Sequence, residues 1–535
     1  MMASGTPERI QDEAELLHSA SQAAFDSNDM ATAINSCREL NRRFPDYFDG
    51  WQMAGRIHLR LRNPEAGLIS TARALAIRPK HPDVLIQRAA CLALMNRPDE
   101  LKELLVGLAE CDFSTAQEHA EVAMMLAAER LHQQAIIHYQ KAINLNDTTP
   151  SLHYNLAAAY RFIGEVALCE QSLERALQLD PFDSEAQMMR SSLRKQTPEQ
   201  NHIDELLATY KKAKVNDQIK SGLCFALAKE EDDLDNFDES FAYLAEGCDI
   251  RRRQMSYNVK RDEELMQKIA AGFHQRETKA TPKATNQPKP IFIVGLPRTG
   301  STMLERMLDN HSAVHSMGEL DTFATALTQQ MIDATHATSA SAEDLIEFAA
   351  SVDLAALANI YLTDSAPQHF SGEYFIDKLP LNFLYLGLIH QSMPEAKIIH
   401  IRRHPVASCF AIYRQWFRDI YPFSYDLSDL ARYFIAYDNL MQFWENQLPG
   451  AIHTIQYENI VAKPELEIRR VLSFCELPWE DKVLAFQDNL SPSTTASALQ
   501  IRQPIHNKSA ERWRYFSHHL KPLLQALESG GIDVS

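Results

Sequence analysis

Three things are scarce in this chain, and each scarcity excludes a class of protein. Cysteines are few and dispersed: eight, at 37, 91, 111, 169, 224, 248, 409 and 475, none of them two or three residues apart. Zinc knuckles and redox pairs need that close spacing, so neither a metal centre nor a disulfide framework is expected. The scatter fits free thiols in a reducing compartment. Positive charge is short as well. The chain carries 53 Lys and Arg against 71 Asp and Glu, a formal net charge of −18. A general nucleic-acid binder would be basic, although an acidic protein can hold a local basic pocket. Long apolar runs are missing, with nothing near the roughly 20 residues of a membrane span. Met1 to Gln11 lacks an apolar signal core. The expectation is a cytoplasmic protein with no membrane or nucleic-acid partner.

At 535 residues the chain is long enough for two to four domains. Its first half is helical and periodic. The segments Leu40 to Pro45, Ala74 to Pro79, Leu108 to Phe113, Ala142 to Asp147 and Ala176 to Pro181 recur every 34 residues. Proline or aspartate closes most of them, as suits a helix end, and small residues at Ala74, Ala142 and Ala176 let neighbouring helices approach. A period of this length with two short helices per unit resembles the tetratricopeptide repeat. The match is strongest over 118–186 and weaker over 15–46 and 85–117, and residues 219–252 read as a further repeat-like hairpin. The predicted all-α solenoid spans 12–275, and its groove is expected to take a protein partner. The competing reading gives the repeats only a docking or dimerising role, and the oligomeric state is left open.

A polar stretch over 276–289, with Pro282 and Pro288 inside it and Pro290 just after, reads as the linker. From 290 to 535 strands alternate with helices: Ile291–Val294, Ile398–Ile401 and Ile452–Tyr457 have strand character, with helical patterns between them. That alternation predicts an α/β domain with a mainly parallel sheet and a ligand site beyond the strands' carboxyl ends.

The most informative stretch is Gly295-Leu-Pro-Arg-Thr-Gly-Ser-Thr302, between a strand and a helix. It is a phosphate-binding loop in every position but one, since Ser301 stands where the nucleotide-hydrolysing loops carry lysine. Without that lysine a triphosphate loses a main source of charge compensation, so a different anionic donor fits better. Arg298 brings a planar fork suited to an oxyanion. Backbone amides at the helix start, with Ser301 and Thr302, complete an anion cradle.

On these residues the segment 288–517 resembles the sulfotransferases that use 3′-phosphoadenosine 5′-phosphosulfate, and within them the tyrosylprotein branch. Joined to the repeats, it resembles a tetratricopeptide repeat-containing sulfotransferase with an α/β, P-loop-like catalytic domain. The resemblance implies that Arg298, Thr299, Gly300, Ser301 and Thr302 hold the 5′-phosphosulfate. Gly318-Glu319 stands 21 residues after Arg298, as the family's Gly-Glu pair does, which implies Glu319 as the catalytic base. Lys378, in Ile376-Asp-Lys-Leu-Pro, matches the family lysine beside the leaving phosphate. Arg403 matches the 3′-phosphate arginine, with Arg402 its rival. The serine expected eight residues on is absent: Ala411 or Phe410 stands there, and Ser408 is about a turn early. Tyr457 matches the tyrosine near the adenine. Ser497 matches the serine that stabilises the leaving group, and Arg502, Lys508 and Arg512 place positive charge over the nucleotide.

The implied activity is sulfuryl transfer to an acceptor hydroxyl, without a metal. The glutamate base favours a phenol on a peptide or protein, with glycan and lipid hydroxyls as alternatives. Two other functions compete: a P-loop kinase or NTPase, disfavoured by Ser301, and a repeat scaffold whose second domain only binds nucleotide.

Overall fold

The structure is a computed structural model, and it describes residues 7–95, 97–212, 216–273, 288–367, 370–485 and 511–535. The chain divides into two compact units, Met1–Pro181 and Phe182–Ser535.

The first unit is a succession of antiparallel helix pairs. These are α1 (Pro7–Asp26) with α2 (Met30–Arg43), α3 (Phe48–Arg60) with α4 (Pro64–Ile77), α5 (Pro82–Leu94) with α6 (Pro98–Ala109), α7 (Ala116–Ala128) with α8 (His132–Leu145), and α9 (Pro150–Ile163) with α10 (Val166–Leu179). Proline opens α4, α5, α6 and α9, where its missing N–H costs nothing. Ala74, Ala142 and Ala176 stand at multiples of the 34-residue period and are fully buried. A larger side chain there would push the second helix of each pair off its neighbours. The weakly patterned stretches 15–46 and 85–117 fold into the same paired helices, because tertiary packing overrides a blurred local signal.

The second unit starts earlier than expected. α11 (Ser184–Ser192), α12 (Ile203–Lys212), α13 (Asp217–Asp233), α14 (Phe237–Gln254) and α15 (Val259–Gly272) precede the sheet and belong to its compact unit. The repeat-like hairpin over 219–252 is α13 and α14, and it packs against the helices that cover the sheet. Phe225, Leu244 and Cys248 share one apolar cluster with Phe410, Tyr413, Tyr425 and Phe516. The compact units therefore part near Pro181, and residues 182–275, expected in the repeat domain, lie with the sheet. Most of the expected linker, 276–287, lies outside the described residues.

The sheet has five strands, β1 (Lys289–Gly295), β2 (Val314–Ser316), β3 (Tyr374–Asp377), β4 (Lys397–Arg402) and β5 (Ile452–Gln456), in the order β2-β3-β1-β4-β5. All four pairings are parallel, as the alternating pattern predicts. The strands are apolar on both faces. Ile291, Ile293, Ile376, Ile399 and Ile455 meet α16 (Ser301–Asp309) and α24 (Pro464–Phe474) on one face. Phe292, Val294, Phe375 and Ile398 meet α17 (Thr322–Thr335), α19 (Leu354–Ser365) and α22 (Leu427–Gln447) on the other. This two-sided burial is what parallel strands require, and it leaves their carboxyl ends as the open edge.

Candidate active site

Each of the five parallel strands delivers one candidate residue just past its carboxyl end: Arg298 after β1, Glu319 after β2, Lys378 after β3, Arg403 after β4 and Tyr457 after β5. β1 is central, so its loop lies between the β3 and β4 ends, where the connections run to opposite sides.

The loop is built by its glycines. Gly295 has φ 149°, and a Cβ there would lie 2.6 Å from the Ile401 carbonyl. Gly300 has φ 97°, and a Cβ would lie 2.4 Å from the Tyr457 ring. Between them Arg298 adopts φ 65°, a left-handed conformation uncommon for a side-chain-bearing residue. Thr299 braces the turn by donating its hydroxyl to the Leu296 carbonyl at 2.8 Å. Ser301 and Thr302 are buried in the first turn of α16, beside that helix's N-terminal amides.

Cations gather over this loop. Arg403 donates from its guanidinium to the Arg298 carbonyl at 2.9 Å and lies over the Tyr457 ring, 4.8 Å from its centre. Burial, followed by the charges of Arg403 and Arg414, lowers the Arg298 guanidinium to about 10. Burial also lowers Arg403. As whole residues both remain partly open to the crevice, while protein surrounds the charges themselves. Both stay cationic at neutral pH, and crowded cations of this kind are favourable only with an anion among them.

Arg402 is set apart from this cluster. It pairs with the buried Asp438 of α22 at 2.6 Å, which leaves Arg403 as the arginine facing the loop. α21 (Pro405–Tyr413) carries Ala411, which has no hydroxyl to offer, while the buried Ser408 hydroxyl has no hydrogen-bond partner among the described residues.

Glu319 and Lys378 are brought together by backbone bonds between the residues just past β2 and the end of β3. Met317 N donates to Ile376 O at 3.0 Å, and Lys378 N donates to Gly318 O at 2.8 Å. The Lys378 ammonium contacts the Glu319 carboxylate directly and has Glu305 Oε2 at 3.7 Å. Lys378 is buried, whereas the Glu319 side chain is 43% exposed and faces outward. Glu305 is in turn held by the Ser316 hydroxyl at 2.5 Å.

Glu305, Arg414, Asp377 and Tyr421 are neighbours that the sequence reading did not single out. Glu305 could have been found as an acid on the buried stripe of α16. Asp377, at the end of β3, is fully buried; burial raises its carboxyl to about 7, and Tyr361 donates to it at 2.9 Å. Tyr421 sits at φ 58° in a loop where Arg418 also has φ 59°. Burial, with the Glu319 charge, pushes the Tyr421 hydroxyl up to about 12.

Arg512 is the expected donor ligand that stands elsewhere. Its Nε donates to both carboxylate oxygens of Asp232 on α13, at 3.0 and 2.9 Å, and Asp232 also holds Arg414. Trp513 beside it stacks on His404, with ring centres 5.1 Å apart. Ser497, Arg502 and Lys508 lie outside the described residues.

The sulfotransferase family model matches residues 290–481. That segment is a sulfotransferase-family domain. A tetratricopeptide-repeat model matches 150–183, the stretch that holds α9 and α10. An uncharacterized protein of Aquifex aeolicus is 29% identical over 69% of this chain and 49% of its own length, so the chain spans about half of that relative. A putative protein-tyrosine sulfotransferase of Caenorhabditis briggsae is 26% identical over 42% of this chain and 80% of its own. Protein-tyrosine sulfotransferase 1 of Danio rerio is 25% identical over 48% of this chain and 74% of its own.

Proposed function

We propose that this protein transfers a sulfuryl group from 3′-phosphoadenosine 5′-phosphosulfate to the hydroxyl of a peptide or protein acceptor, with tyrosine favoured. The observation that carries the proposal is the contact between Glu319 and Lys378 beside a lysine-free phosphate loop. In this reading the acceptor oxygen attacks the sulfur while the bond from sulfur to the bridging phosphate oxygen breaks. Glu319 takes the acceptor proton, as a positioned carboxylate can. Lys378 leaves Glu319 for the bridging oxygen, where charge develops, and Arg298 with the α16 amides holds the 5′-phosphate. Arg403 takes the 3′-phosphate and Tyr457 the purine face. The tyrosine preference rests on the names of the relatives and on the carboxylate base. The repeat unit, in the same proposal, recruits a protein partner.

The test is a transfer assay with sulfur-labelled donor over tyrosyl peptides, oligosaccharides and phenols, alongside calorimetric titration with 3′-phosphoadenosine 5′-phosphate and with ATP. Label on a tyrosyl peptide and selective binding of the bisphosphate are expected. Preferential ATP binding with magnesium-dependent hydrolysis would overturn the proposal.

A further inference from the structure

A second cluster of chemically capable side chains lies outside the constellation just described. Asp238, at the start of α14, meets His518 and His519, which lie between a short 3-10 turn (Arg512–Phe516) and α25 (Lys521–Ser529). Each imidazole places its Nε2 2.8 Å from the same oxygen, Asp238 Oδ1, and the three potential ligand atoms all lie within 4.8 Å of one another. Among the described residues no other trio of this kind occurs.

Two observations set this apart from an ordinary surface ion pair. Consecutive side chains normally point apart, yet the His518 and His519 rings lie 3.9 Å apart and converge on one atom. His519 is also fixed before any ligand arrives, stacked on Phe241 with centres 4.3 Å apart and planes within 4°. The cluster is accessible: Asp238 is 72% exposed and His518 55%. Asp235 and Glu239 nearby are exposed acids that add attraction for a cation.

We propose that Asp238, His518 and His519 form a binding site for a zinc-class divalent transition-metal ion, which fastens the C-terminal segment to α14. Two imidazoles and one carboxylate suit zinc, cobalt or nickel, whereas magnesium and calcium favour all-oxygen sets. An ion about 2.1 Å from each ligand holds them roughly 3.4 Å apart, so each His–Asp separation opens by about 0.6 Å from 2.8 Å. Each ring then carries its proton on Nδ1 and turns the Nε2 lone pair to the ion. The remaining positions are open to water. The ion would add a second fastening beside the Arg512–Asp232 pair, which joins the same C-terminal segment to α13. With 280 residues between Asp238 and His518, no sequence spacing could have shown the site.

The test uses the full chain stripped with EDTA and titrated with zinc chloride by calorimetry. One equivalent is expected to bind wild type, with affinity lowered about tenfold or more in Asp238→Asn and in the double variant His518→Ala/His519→Ala. His336→Ala, a change at an exposed histidine elsewhere, should bind like wild type. Cobalt(II) should give visible absorption bands in wild type that are lost in the double variant, and zinc should raise the melting temperature of wild type alone. Zinc binding of equal affinity and stoichiometry in wild type and both variants would overturn the proposal. So would saturation of the site by magnesium in preference to zinc. Far-UV circular dichroism of each variant keeps a folding defect from being read as lost binding.

Discussion

Lys378 and Glu319 arrive from different strand ends and form one ion pair, held in register by the bond from Lys378 N to Gly318 O at 2.8 Å. The pair makes each residue's contribution depend on the other. In the proposed reaction, removing the carboxylate takes away the proton acceptor, and removing the ammonium takes away the charge that meets the leaving oxygen.

Glu319→Gln is therefore expected to lower kcat by about 100-fold to 10,000-fold while the bisphosphate product still binds. Lys378→Ala should cost a similar factor. The double variant should be little worse than either single one, since residues acting as a unit are non-additive. Initial rates with labelled donor, beside calorimetric binding, check this. Wild-type rates in Glu319→Gln would remove the base assignment.

Gly300→Ala tests the cradle. The new methyl meets Tyr457 at 2.4 Å, and the residue must keep φ 97°. Backbone strain of this kind costs about 1–3 kcal/mol. The Tyr457 ring must also shift, carrying with it the Arg403 stack at 4.8 Å. A lower denaturant midpoint together with weaker bisphosphate binding is expected; a change in neither would mean that the loop relaxes freely.

Much of this site was legible in the sequence, for a physical reason. A phosphate loop needs its glycines, its arginine and its helix start at fixed spacing, so Arg298 to Thr302 could be placed on a strand–turn–helix and were found there. The strands β1, β4 and β5 were also readable as short apolar runs. β2 and β3, of three and four residues, were too short to show a period. Arg414 reaches the loop by tertiary packing, from the far end of α21. The largest departure is the helical stretch 182–272, because a hairpin with repeat-like spacing shows nothing of which surface will bury it. Phe225 and Cys248 look like repeat-core residues in sequence and pack against the catalytic core in the structure. Arg512 has the same cause: its partner Asp232 is 280 residues away.

Asp377 gives a pH-dependent prediction. Burial raises its carboxyl well above the usual carboxylate range, to about 7. A raised pKa means that the folded state holds the proton more tightly. The stabilisation from Asp377 is thus fully present below pH 4 and is lost as pH rises through 7. A shift of this size corresponds to about 4 kcal/mol at most. Asp377→Asn mimics the protonated acid, so it should gain stability relative to wild type between pH 4 and 7 and hold that difference above it. Urea unfolding of both proteins across this range measures the difference. Parallel curves would mean that Asp377 titrates normally.

Asp232 gives the last prediction, which concerns where the catalytic unit begins. The residue is 2% exposed and holds both Arg414 and Arg512. Arg251 pairs with Asp419 at 2.8 Å and Arg432 with Glu263 at 2.5 Å, so ion pairs join α14 and α15 to the stretch between β4 and β5. Removing one partner of a buried pair costs about 3–5 kcal/mol. Asp232→Ala should therefore lower stability by that order, and it should weaken donor binding because Arg414 stands near Arg298. A fragment of 182–535 should melt cooperatively with the family nucleotide bound. A fragment of 288–535, which leaves Phe410, Tyr413 and Phe516 without their helical cover, should be insoluble or molten. Cooperative unfolding and full donor affinity in the shorter fragment would show that α11 to α15 are dispensable, and that the catalytic unit begins at the sheet after all.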